Sequence, residues 1–325
     1  MPGPSTTSFQ RPDLGILFEQ LDVIAEREGF IGTKVLPILP VALQSAPFPK
    51  VVLESRMVDV KTRRAPGTAY AQVSGEFTQD SYATEEHGLE EVVDDRERRM
   101  YAQSLDLDML AVRRIAGMLA REQERRIAAA VFNTTTWTGS SLTTAVGPAW
   151  TSLNSAAPID DVTGAIVKVR DNTGANPMGL TGICSWTVFK NLRRNAQLIE
   201  RVKYAGIDDP TMPWSELTAV LAKALGLKQL LVAGAVRNSA SKGATRSLSE
   251  IWTSTYFMVA KIAETNDLRE TCVGRTFAWE GDGGMAMGTA EEYRDEAVRS
   301  QKFRQRHDVL EKILYAECGH LLTGV

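Results

Sequence analysis

The longest periodic pattern in the chain runs over residues 106–132. Met109, Val112, Ala116, Leu119, Ala120, Ile127 and Val131 recur at helical spacing and form one stripe. Arg113, Arg114, Arg121, Glu122, Glu124, Arg125 and Arg126 cover the other face. About 27 residues at a rise of about 1.5 Å make a rod of roughly 40 Å, longer than the usual globular helix. The apolar seam does not hold for several clean heptads, which argues against a coiled-coil strand. The pattern predicts a long spine inside an α+β domain.

Upstream, residues 1–12 are rich in Pro, Gly, Ser and Thr and read as a disordered arm. Residues 13–28 place Leu14, Leu17, Phe18, Leu21 and Ile24 at helical spacing. Residues 30–40 carry Pro37 and Pro40, which lack a backbone donor, so this run fits only an edge strand or an extended arm. The first 49 residues together look like an arm that drapes over something rather than a core. Residues 85–99 are dense in charge and read as a transition, and residues 133–157 as loop.

A compact α/β stretch follows. Helices are predicted over 159–171 with Pro158 at the start, 186–194, 198–204, and 213–225 stopped by Gly226. Strands are predicted over 180–184, 229–236, 253–262 and 276–279, with a loop over 243–251. The last segment, 290–325, reads as long strands, charged to about His307 and then apolar through Ile313, Leu314, Leu321 and Leu322. There is no internal repeat.

Residues 50–82 break every one of these patterns. Glu54, Arg56, Asp59, Lys61, Arg63 and Arg64 crowd the first limb of a strand-like excursion that has no core of its own. Thr62-Arg-Arg-Ala-Pro-Gly-Thr68 forms its tip. A free-standing two-stranded hairpin is marginal in water, and its open edges invite pairing with another chain. Such a segment is either floppy or finished by a neighbour, and the second option makes the chain a building block.

Composition narrows the classes. The 325 residues are 43% hydrophobic and 24% charged, ordinary globular values that leave ample material for one large domain or two. A net charge of -3 gives no overall pull toward nucleic acid or an anionic membrane. The three cysteines, Cys184, Cys272 and Cys318, match no disulfide framework and suggest a reducing compartment. The N-terminus has no secretory pattern and no stretch approaches a membrane span, so a soluble protein made inside the cell is expected.

Candidate chemistry is thin. His87, beside Glu85 and Glu86, and His307, between Arg306 and Asp308, read as exposed residues. Cys318 and His320 face the same way on a strand, which would suit half a metal site or a dyad, with an ordinary core pair as the plainer reading. Gly281-Asp-Gly-Gly284 resembles a phosphate loop only in composition. Asn133-Thr-Thr is a glycosylation acceptor by pattern alone. The basic pairs Arg98-Arg99, Arg113-Arg114 and Arg193-Arg194 are read as salt-bridged faces interleaved with acids.

Several segments resemble those of a known family in their order along the chain. They are Phe30-Ile-Gly-Thr-Lys-Val-Leu-Pro-Ile-Leu-Pro-Val with Gln44-Ser45, then Arg64-Ala-Pro-Gly-Thr68, then Tyr82 with Glu86-His-Gly-Leu89 and Val93-Asp-Asp95. The spine ending near Asn133, Leu230-Leu-Val-Ala-Gly-Ala-Val-Arg-Asn-Ser-Ala240 and Phe277-Ala-Trp279 complete the series. With them, from about residue 14 to the C-terminus, the chain resembles the major capsid proteins of tailed bacteriophages.

The resemblance implies a Hong Kong 97-like α+β shell fold. Residues 1–49 would be the N-terminal arm and 50–84 the extended β-hairpin loop, which in this family lies across the adjacent subunit. Residues 85–146 and 288–325 would form the peripheral domain with the spine helix, and 147–287 the α/β axial domain. Arg56, Lys61, Arg63, Arg64 and Pro66 would make intersubunit contacts, and Gly281, Asp282, Gly283 and Gly284 would sit at the axial tip. It further implies a non-enzymatic major head protein without cofactor or metal, assembling into hexamers and pentamers in the bacterial cytoplasm and residing in the virion. No scaffold segment precedes the arm here, so either a separately encoded scaffolding protein is a partner or the segment has been removed; the other partners would be a portal, decoration proteins, and double-stranded DNA held weakly and without sequence readout. Some relatives cross-link a Lys to an Asn beside a Glu; Lys61 lies on the loop, but no such partners are placed for it. An encapsulin-like nanocompartment shell and a soluble α/β enzyme using Cys318 and His320 are the alternatives.

Overall fold

The computed structural model describes residues 9–10, 29–102, 106–204, 214–241, 243–281 and 288–325. Within the stretch expected to be a disordered arm, β1 (Phe9–Gln10) is a two-residue strand; the rest of that stretch and the helix expected over 13–28 lie outside the described residues. The chain then enters through Gly29, at φ 72, into α1 (Gly32–Val35) and β2 (Ile38–Val41). A Cβ on Gly29 would stand 2.9 Å from the Gly234 backbone, so glycine is what allows the two backbones to meet here.

Next come β3 (Ser45–Val51) and β4 (Phe77–Ala83), paired antiparallel from Ser45↔Ala83 to Val51↔Phe77. The hairpin base therefore begins before residue 50, and residues 57–76 beyond it form no paired strand. β5 (Glu85–Asp94) and α2 (Asp95–Tyr101) occupy the segment expected to be a transition. The spine, α3 (Leu107–Val131), agrees with its periodicity, and Asp106 caps it by accepting from Met109 N. β6 (Thr143–Ala145) lies within the stretch expected to be loop.

The α/β stretch supplies α4 (Pro158–Thr173), ended by Gly174 at φ 66, then β7 (Thr181–Ser185) and α5 (Trp186–Arg194). α6 (Ala196–Tyr204), α7 (Trp214–Ala224) and β8 (Gln229–Ala233) follow. β9 (Val236–Asn238) and β10 (Leu248–Glu250) make a two-stranded hairpin where sequence pattern predicted strand end and loop. β11 (Tyr256–Ala260), β12 (Gly274–Trp279), β13 (Thr289–Asp295), β14 (Ser300–Ile313) and β15 (Gly319–Thr323) complete the chain.

Two sheets organise these strands. The larger runs β1-β13-β14-β12-β2, and β5 joins it along β14. β14 pairs with β5 over Ser300–Val309 and with β12 over Val309–Ile313. From Phe303 to Val309 its buried residues alternate with half-buried ones, the period-two signature of a strand with one inward face. The smaller sheet runs β6-β15-β11-β7-β8. β7 is buried at all five positions, as befits a strand covered on both faces.

The division between sheets does not fall at 146/147 and 287/288. β12 belongs to the larger sheet and β15 to the smaller, so each crosses the expected boundary. One core cluster, including Ile31, Leu36, Ile127, Trp137, Met258 and Phe277, draws on both sheets. The first half of the spine, through Ala111, Val112 and Ile115, packs instead on Val93 and Phe303.

β2 is an edge strand, parallel to β12, as its prolines require. The draping part of that expectation fails. Phe30, Ile31, Val35, Leu36 and Leu39 are all buried, so residues 30–39 are core rather than arm.

Candidate functional site

The extended hairpin stands on an aromatic base. Tyr82 stacks on Phe277 with ring centroids 4.7 Å apart, and Phe48 lies 5.9 Å from the same ring. Lys312 of β14 pairs with Asp80 and also donates to Ser81 O. Burial raises the Asp80 pKa, but the Lys312 bond and the Ser81 N–H outweigh it, and the carboxyl is held below its ordinary value. Tyr315 accepts nothing from the loop tip; its hydroxyl takes the Val51 N–H at 3.0 Å, and Lys50 rests over its ring at 4.5 Å.

Leu53 is still buried in the core, and beyond Met57 the loop leaves the body. Every residue from 61 to 79 is exposed. Val58, Tyr70, Val73 and Phe77 show 64%, 75%, 67% and 67% of their surface, an unusual run of exposed apolar side chains. The tip is a turn closed by Thr68 N to Ala65 O, with Pro66 and then Gly67 at φ 82, the residue order a type II turn demands. Arg64 lies 4.3 Å over the Tyr70 ring. Among the described residues, none of Arg56, Lys61, Arg63 and Arg64 is ion-paired. The five residues expected to meet another subunit thus share one exposed segment.

The other expected contact group is divided. Gly281 is exposed and follows β12 of the larger sheet rather than a strand of the α/β wedge, while Asp282, Gly283 and Gly284 lie outside the described residues. Sequence pattern missed an exposed feature that the wedge does carry, the β9–β10 hairpin, where Val236 and Leu248 are both 48% exposed. Its cue was present as an apolar residue on either side of a polar, Ser-rich turn.

Cys318, His320 and His307, titratable groups noted in the sequence, are all buried. His320 is buried, with Nδ1 3.0 Å from Ser141 O and Nε2 2.9 Å from the Thr144 hydroxyl, so both ring nitrogens are occupied. Burial pushes the Cys318 thiol up to about 12, far from a nucleophile's range. His307 is not the exposed residue its charged neighbours suggested. It is buried on β14 with its ring edge-on to His87, 5.9 Å away, and burial together with Arg126 lowers its pKa to about 3. Among the described residues no group of His, Cys, Asp and Glu could hold a metal ion.

Charge pairing is as expected in part. Arg98 pairs with Asp108 and Arg114 with Glu91. A cleft of about 470 Å³ opens beneath the hairpin base, lined among others by Lys50, Glu54, Met57, Asp171, Tyr315 and Glu317.

No protein-family model matches this sequence, and no curated protein matches it. Solved structures do. A phage-related protein from Bordetella bronchiseptica RB50 superposes with a TM-score of 0.70 at 19% identity, covering 98% of both chains. The capsid of cyanophage P-SCSP1u matches at 0.56 and 11%, over 89% of this chain and 86% of that one. A virus-like particle from Pyrococcus furiosus matches at 0.52 and 12%, over 94% and 98%.

Proposed function

We propose that the chain, which has the Hong Kong 97-like fold of phage capsid proteins, is the major head subunit, assembling into hexamers and pentamers that close an icosahedral shell around double-stranded phage DNA. The observation that carries this reading is the loop. A rigid aromatic base presents an exposed segment with unpaired cations and bare apolar side chains, which only another molecule can complete.

The mechanism is geometric. One sequence must occupy rings of five and of six, and the segment that crosses between subunits absorbs the difference while the two-sheet body stays fixed. Arg56, Lys61, Arg63, Arg64 and Pro66 make the crossing contacts, and Gly281 to Gly284 form a tip at the capsomer centre. Residues 85–146 with 288–325 act as the peripheral unit and 147–287 as the axial one, apart from the exchanged strands β12 and β15. Scaffold, portal and decoration proteins are its partners during and after assembly in the bacterial cytoplasm, and the virion is its destination. A net charge of -3 leaves DNA held loosely rather than gripped. The chain is not an enzyme; Cys318 and His320 serve packing.

A nanocompartment shell is the second reading, supported by the likeness to the Pyrococcus furiosus virus-like particle. Negative-stain images of the purified protein test both at once. Closed shells or rings are expected, and uniform monomers overturn the proposal. Nuclease-protected DNA inside the shells supports the phage head; an enzyme cargo supports the compartment.

A further inference from the structure

The cleft beneath the hairpin base is lined by acidic and apolar side chains. Glu54, on the single turn after β3, lines it together with Asp171 and Glu317. All three carboxylates are exposed. Arg170 takes only Oδ1 of Asp171, leaving Oδ2 open. Asp171 also stands in the last turn of α4, where the unpaired carbonyls of a helix C-terminus add negative potential. Lys50 is the one cation on the lining, and it rests over the ring of Tyr315, which lines the cleft as well. Met57, Leu53 and Val52 give the floor an apolar part. At about 470 Å³ the cleft falls within the roughly 300–1,000 Å³ of ordinary binding pockets.

The same chain carries the complementary shape. Lys61, Arg63 and Arg64 are exposed and unpaired, and Tyr70 and Val73 beside them are exposed and apolar. As the loop stands, none of Lys61, Arg63, Arg64, Tyr70 and Val73 lines the cleft of its own subunit, and all five are exposed. About ten residues separate Met57 from the turn at Pro66, an extended reach of roughly 30 Å, enough to cross to a neighbour.

We propose that the cleft formed by Glu54, Asp171 and Glu317 is the receptor for the Lys61–Arg64 tip of the adjacent copy. This rests on the shell reading and names the surface that the loop meets. The occupant is a second copy of this chain, chosen by charge complementarity and by the matching apolar component. The contact is head-to-tail, tip of one copy into base of the next, and a head-to-tail contact propagates around a ring until it closes. Each loop base then serves twice, once as the root of its own strap and once as the seat of another.

Charge exchange tests this in the full-length chain. Arg63→Glu with Arg64→Glu should lower the yield of sedimenting shells at least tenfold, and Asp171→Lys with Glu317→Lys should do the same. The four changes together should restore at least half the wild-type yield. Circular dichroism and size-exclusion profiles verify folding of each variant. Cleft reversal that assembles normally, or a fourfold variant no better than either pair, overturns the proposal while leaving the shell reading intact. Wild-type protein that forms no shells under any condition overturns both. Should the cleft variants misfold, Arg64→Cys with Glu317→Cys, oxidised with diamide in assembled particles, decides it. A ladder of covalent multimers on a non-reducing gel supports the contact, and monomer alone overturns it.

Discussion

Glu124 on the spine accepts the indole N–H of Trp252 at 2.6 Å, across 128 residues of sequence. Its carboxylate also takes the backbone N–H groups of Ile31 at 2.9 Å and Gly32 at 2.7 Å. Burial raises its pKa, and these three bonds oppose that rise without cancelling it. One side chain thus ties the entering segment, the spine and the loop before β11 into a single unit.

Glu124→Ala leaves three buried donors without an acceptor, each worth roughly 1–3 kcal/mol when unmet. A loss of about 3 kcal/mol or more is expected in urea denaturation of unassembled subunits. Glu124→Gln keeps one acceptor oxygen and should cost about half as much. Equal stability of the alanine variant and the wild type would contradict the tie.

His307 makes stability depend on pH. The unfolded chain protonates this ring near 6.5, whereas the folded chain holds the proton off to about 3. In that window the unfolded state carries more protons, so stability rises with pH and is lost as pH falls. Arg126 from the spine and His87 from β5 face the ring, and Glu311 on the same strand is engaged by Arg126. The melting temperature should drop between about pH 7.5 and about pH 5. His307→Gln should flatten that slope without abolishing it, because burial lowers the His320 pKa as well. An unchanged slope in the variant would locate the effect elsewhere.

The loop outside the base adds little to the fold of its own subunit. Replacing residues 57–76 with a short Gly-Ser link should change subunit stability by less than about 1 kcal/mol, the usual range for exposed positions. Shell formation should be lost. Particles of normal yield from this variant would remove the loop from the assembly mechanism.

Tyr82 bears on the loop from below. Tyr82→Ala removes the ring stacked on Phe277 and should cost about 3 kcal/mol, the lower end for buried aromatic truncation. Hydrogen exchange should accelerate first in β3 and β4, ahead of β12. Uniform acceleration across the larger sheet would show that the hairpin base is not a separate unit.

The spine was legible because seven apolar residues kept one face over its length, and the loop because no period held there at all. Glu124 and His307 were not legible. A side chain's type suggests its face only on average, and each of these two has partners from distant sequence that make burial tolerable. β5 was hidden for a related reason. Only Val93 of its ten residues is buried, and its acids are paired instead with Arg114, Lys302 and the Tyr293 hydroxyl. A strand held by backbone bonds and ion pairs shows no alternation to read. The crossing of β12 and β15 between sheets depends on pairing over long separations, which a local pattern does not encode.

The hairpin base has a mechanical consequence. Its seven register pairs join β3 only to β4, so they do not connect the loop to the rest of the subunit. A tug on the tip is borne by Leu53 in the core, the Tyr82 and Phe48 rings on Phe277, Asp80 on Lys312, and Val51 on the Tyr315 hydroxyl. Under load the ribbon would peel away whole, its own ladder intact. The tensile strength of the strap is therefore set by a handful of side chains on β12, β14 and the turn after it.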